Sequence, residues 1–121
     1  MPDLKKIAQS ELADVIREHQ VMLLNNSAGR RANLSFYDLS DMELSHSDLS
    51  MSDFSGASLQ HALLIGTNFT RATLFGTDLR VANLRRANMT HCDLRGACMR
   101  GADLTDAIMV DADMREGVLA W

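Results

Sequence analysis

The chain has 121 residues, 46% of them hydrophobic, 23% charged and only 5% aromatic, which fits one soluble domain with a core of leucine, methionine and alanine. No apolar run approaches the roughly 18 residues of a membrane span, and no basic stretch followed by an apolar run marks a signal peptide. A cytoplasmic address with reduced thiols is therefore expected, and a net charge of −4 is too mild to name a partner.

Residues 1–31 form an N-terminal segment of their own. Ser10 is the expected N-cap of a helix running to about Leu24, with Glu11 and Asp14 in its first turn. Leu12, Val15, Ile16, His19, Met22 and Leu23 share one face at helical spacing. Asn25 to Arg31 reads as a linking loop.

From Leu34 to Leu119 an apolar residue recurs every five positions without an insertion, eighteen times in all. Two residues before each centre the side chain is small, with ten alanines, and only Tyr37 and Met42 are large. The residue just before the centre is Asp, Asn or Glu in twelve of the eighteen units. Period five excludes both straight elements. On an α-helix such leucines would step about 140° and wind around every side. On a continuous strand they would alternate faces. They share one interior only if the chain turns after every unit.

Within a unit, the centre and the residue two before it point inward by strand alternation, and the other three positions point outward. Asp and Asn suit the adjacent corner because their short side chains bond nearby backbone groups. Glycines 56, 66, 76, 96 and 101 fall two residues after a centre, where a turn accepts them. Segments such as Arg31-Ala32-Asn33-Leu34-Ser35, Val81-Ala82-Asn83-Leu84-Arg85 and Gly101-Ala102-Asp103-Leu104-Thr105 resemble the pentapeptide-repeat family, A-(D/N)-L-x-x. The resemblance implies an all-β solenoid over residues 32–121, a right-handed quadrilateral β-helix with four units per coil. Eighteen units then make about four and a half coils, a rod roughly 22 Å long. The helix in residues 1–31 becomes its N-terminal cap, since solenoid ends need covering, with a partner-binding helix as the alternative.

The C-terminal end is different. The repeat runs to Leu119 and leaves no amphipathic segment to cover a final coil, whose edge carries unpaired backbone groups. Met114, Val118, Leu119 and Trp121 are the candidate interface there, and homodimerisation through this coil is the preferred explanation. The family resemblance supports it, because some pentapeptide-repeat proteins pair through their C-terminal coils. A further domain beyond the sequence, or Val118 and Trp121 folding over as a plug, are the competitors.

No catalytic constellation is present, and neither a cofactor nor a metal is expected. His46, His61 and His91 fall on different faces of a twenty-residue coil, and the histidines, His19 included, are expected to be solvated. Cys92 takes an inward position, while Cys98 takes an outward one and is expected to be open to reaction. Outward charge is uneven. Between residues 33 and 60 Asp38, Asp41, Glu43, Asp48 and Asp53 stand without a Lys or Arg, whereas from residue 61 onward seven acids meet seven arginines. Asp78 with Arg80, Asp93 with Arg95 and Asp113 with Arg115 are expected as exposed pairs. Leu63 with Ile65, Ile108 with Val110, and Phe75 are outward apolar residues on three different faces.

The leading reading is a non-catalytic scaffold for protein–protein interaction, alone or as a module of a larger bacterial protein. The alternative follows from the resemblance: some relatives mimic duplex DNA and protect DNA gyrase from quinolones, and the five acids would carry that role here. Direct nucleic-acid binding through Arg71, Arg80, Arg85, Arg86, Arg95 and Arg100 is disfavoured by the interleaved acids.

Overall fold

A computed structural model describes residues 3–117. Its organising feature is a parallel register of twenty residues: Asn33 bridges Asp53, Asp53 bridges Thr73, and so on to Asp93 with Asp113. Four units thus complete one coil. The centres stack in four columns: Leu34, Phe54, Leu74 and Leu94 on the first face; Leu39, Leu59, Leu79 and Met99 on the second; Leu44, Leu64 and Leu84 on the third; Leu49, Phe69 and Met89 on the fourth. All of these are buried to within 1%. Phe54 and Phe69 meet edge to face with ring centroids 5.6 Å apart, filling the interior of one coil.

One unit, residues 67–71, shows where the backbone hydrogen bonds go. Thr67 N–H closes the turn onto Leu64 O at 3.2 Å. Asn68 N–H donates to Ser47 O in the preceding coil at 3.0 Å, while Phe69 and Arg71 donate to Asn88 O and Thr90 O in the next, at 2.7 and 2.9 Å. The fifth amide, Thr70 N–H, goes to the Asn68 side chain at 3.0 Å. That last bond explains the acidic or amide residue before each centre. All twelve such side chains accept the N–H two residues on, from Asn33 with Ser35 to Asp113 with Arg115.

The corner residue two after each centre has positive φ throughout, from Phe36 at 60° to Glu116 at 59°, whether or not it is glycine. Positive φ at the third position of a hydrogen-bonded turn is the type II geometry. The repeat therefore holds ordinary side chains, Val81 included, in a conformation that suits glycine.

The N-terminal segment closes the first coil face by face. Strand β1 (Lys5–Lys6) pairs in parallel with β2 (Tyr37–Asp38) on the second face. The Gln9 side chain stands in for a strand on the third, donating to Glu43 O and accepting Glu43 N–H, both at 3.1 Å. On the fourth, His19 bonds Ser50 O. Helix α1 (Gln9–Leu24) lays Leu12, fully buried, with Val15 and Ile16 over the open interior. Tyr37 and Met42, the two large residues at small-residue positions, lie half-buried against this part of the core.

Two expectations about this segment are corrected. The N-cap is Ala8 rather than Ser10. Ala8 has no side-chain acceptor, and the end is held instead by Glu11, whose carboxylate accepts Ala8 N–H at 3.3 Å. His19 is not solvated: it is fully buried between α1 and the first coil.

Candidate interaction surface

Outward positions carry whatever this chain presents, because inward and turn positions are absorbed in the frame. The five acids expected to form one surface do not gather. Asp38 lies on the second face, Asp41 on the corner after it, Glu43 on the third, Asp48 on the fourth and Asp53 on the first. Four of them spend a carboxylate oxygen on the turn amide two residues later. The N-terminal segment also brings cations that the local sequence lacks. Lys6 Nζ bonds Asp38, and Lys5 Nζ sits 5.6 Å from the centre of the Tyr37 ring. The Lys6 ammonium, with the Ser40 hydroxyl and amide, holds the Asp38 carboxyl down to about 2.

The three expected Asp–Arg pairs form, each as a fork. Arg80, Arg95 and Arg115 place Nε and Nη2 on the carboxylates of Asp78, Asp93 and Asp113, with the Nη2 bonds all at 2.7 Å. Gln60 adds a fourth bond to Asp78 at 2.8 Å. The arginines thus neutralise the acids of the turn motif rather than projecting a basic surface. Exposed Leu63, Phe75, Ile108 and Val110 fall on the third, first and fourth faces, as the coil length requires.

One surface was legible only after the coils were stacked. Gly56, Gly76 and Gly96 stand one above another on the corner between the first and second faces, twenty residues apart. A β-carbon on Gly76 would meet nothing within 4 Å, so this corner is a trough with bare backbone as its floor. Phe36 closes one end, its ring lying over Gly56. Asp3 and Leu4 line the same end, and Gln60, Asp78 and Arg80 form a wall, enclosing a groove of about 950 Å³. On the first face Phe75 stands beside it with the Arg95 guanidinium 5.3 Å over its ring. The twenty-residue spacing of the three glycines was the signal in the sequence.

Among the described residues no three His, Cys, Asp or Glu side chains converge to hold a metal. His46, His61 and His91 are exposed on separate corners. Cys92 is inward and buried, donates to Phe69 O, and burial pushes its thiol up to about 12. Cys98 is a correction: it points outward yet is fully buried. A short side chain lies flush with the sheet, stacked on Asp78 of the preceding coil. Of the C-terminal candidates Met114 is half-buried, while Val118, Leu119 and Trp121 lie outside the described residues. No described helix is long and apolar enough to cross a membrane.

The chain is similar to known proteins. The family of pentapeptide repeats matches in eight copies over residues 30–64, 52–90 and 82–119. Among solved structures, Rfr23, a pentapeptide repeat protein from the cyanobacterium Cyanothece 51142, is similar with a TM-score of 0.71 and 30% identity over 73% of this chain. HetL of the cyanobacterium Nostoc, involved in heterocyst differentiation regulation, is 36% identical over 69% of the chain with a TM-score of 0.36. QnrB1, a plasmid-mediated fluoroquinolone resistance protein, is 26% identical over 77% with a TM-score of 0.34. The chain spans 60% of the length of Rfr23, 43% of HetL and 50% of QnrB1. No curated protein matches it. Stacked five-residue units in a twenty-residue coil, with the family's own motif over most of the sequence, place the chain in the pentapeptide-repeat family, whose fold is a right-handed β-helix.

Proposed function

We propose that this protein is a non-catalytic scaffold that works by presenting its outward side chains to protein partners. The observation that carries the reading is the division of labour within the repeat. Centres and small residues fill the core, and every one of the twelve Asp, Asn and Glu side chains closes a turn. What is left over for function is a rigid, variable exterior, with the glycine trough and the last coil as its two distinctive places. Among the described residues Asp103, Ile108 and Asp113 are bridged on one side only, and Leu104, Met109 and Met114 are more open than the centres before them. This supports self-association through that coil, by pairing of edges and burial of the open centres.

Light scattering across a range of concentrations tests the pairing. A dimeric mass that becomes monomeric in Met114→Asp is expected, and a monomeric mass at high concentration contradicts it. DNA mimicry toward gyrase draws less support, because the acids are dispersed around the coil and four of the five are committed to turns. A gyrase supercoiling assay with quinolone should show no protection at micromolar protein.

A further inference from the structure

The histidine beneath the N-terminal helix has its two ring nitrogens in opposite roles. Nδ1 of His19 lies 2.8 Å from the backbone N–H of Ala32, which can only donate. Nε2 lies 2.7 Å from Ser50 O, which can only accept. The docked ring is therefore neutral, with its one proton on Nε2. These two bonds tie α1 to both ends of the first coil at once, since Ala32 begins it and Ser50 belongs to its fourth face. The ring itself is fully buried.

We propose that His19 is a proton-operated latch for the N-terminal cap, holding α1 on the solenoid when neutral and releasing it when protonated. A second proton would sit on Nδ1 and point at the Ala32 N–H, donor against donor, and it would bring a charge onto a fully buried ring. The titratable and charged groups on the surrounding elements do not offset that. They are Asp14, Arg17 and Glu18 on α1, Arg30 and Arg31 on the loop, and Asp48 and Asp53 on the coils. Asp14 is paired with Arg17, Arg31 bonds Met51 O, and Asp48 and Asp53 hold the amides of Ser50 and Ser55. None of them is buried beside the ring.

The sign follows from proton counting. The released form binds one proton more than the docked form, so docking weakens as pH falls. The ladder of the rod does not run through His19, so the release is confined to the cap.

Hydrogen exchange of the intact protein at pH 7.5 and 5.0, corrected for intrinsic rates, reads this directly. Amides of α1 should lose protection at pH 5.0, while those of the ladder between Phe54 and Gly96 hold. Equal protection of α1 at both values overturns the proposal, as does loss of the ladder in step with the helix. His19→Gln keeps a donor and an acceptor without a titrating proton and should abolish the pH dependence, whatever its protection at pH 7.5. A triple variant His46→Asn, His61→Asn, His91→Asn should retain it, and its loss there overturns the assignment. Long-range 1H–15N spectra at pH 7.5 should show the proton of His19 on Nε2, and a proton on Nδ1 refutes the geometry independently.

Discussion

Gly29 is pressed against the backbone of α1, so that a β-carbon on it would lie 2.4 Å from the carbonyl oxygen of Glu18. The same atom would come within 2.6 Å of Met22 N, and the residue has φ of 72°. Next to it, Arg30 N–H donates to Glu18 O at 3.1 Å, closing the loop onto the helix. Gly29→Ala should therefore push the loop off α1 and destabilise the cap by at least about 2 kcal/mol, from left-handed strain and overlap together. Thermal unfolding followed by circular dichroism checks this, and an unchanged midpoint contradicts it.

The corner at Val81 makes the opposite prediction. A β-branched residue is held at φ of 59°, half exposed, with only the column of corner residues around it. Val81→Gly relieves about 1–2 kcal/mol of strain against roughly 0.5–1 kcal/mol of added unfolded-chain entropy. A net gain of about 0.5–1 kcal/mol is expected, seen as a rise of a few degrees in melting temperature. A fall would show that the valine is held by packing that outweighs its strain.

Leu64 is a centre in the middle of the rod, fully buried. Because each coil packs only on its neighbours, the gap left by Leu64→Ala cannot be filled from elsewhere. A loss of about 2–5 kcal/mol is expected in urea unfolding. Met114→Ala, at a half-buried centre of the last coil, should cost clearly less in the monomer. Equal costs would count against the graded burial.

Asp38 couples the cap to acid through a second route. Its carboxyl is held at about 2, below the ordinary 3.8, chiefly by the Lys6 side chain. A lowered folded value means the contribution is fully present above about pH 4 and is lost as pH falls toward 2. NMR titration should place the Asp38 midpoint near the lower end of that window. In Asp38→Asn the stability of the β1–β2 pairing should no longer change between pH 4 and 2, and an unaltered slope would dismiss the Lys6 contact.

Both thiols should be silent in the native protein. Cys92 is pushed up to about 12 by burial, and Cys98 is fully buried under its neighbours. Ellman's reagent at pH 7.5 should find no reactive thiol until denaturant is added, and then two. A single fast thiol without denaturant would mean that the second face opens near Cys98.

The repeat was legible in the sequence because its cause is local. A turn every five residues forces one apolar centre, one small inward residue and one side chain able to accept a turn amide, and all twelve Asp, Asn and Glu residues at that position do so. Their spacing carried the core and the three Asp–Arg pairs, and the family resemblance supplied the four units of the coil. Three things waited for tertiary structure. Lys5 and Lys6 reach Tyr37 and Asp38 across more than thirty residues, so the apparent acidic half has cations that no local window contains. Cys98 points outward and is nonetheless buried, because exposure depends on the length of the neighbours in the stack. The role of His19 is set by two backbone groups, Ala32 N–H and Ser50 O, that meet the ring only when α1 folds over the first coil. Periodicity along the chain determines what each unit does for the frame, whereas contacts between distant segments decide where charge, thiols and a titrating ring come to rest.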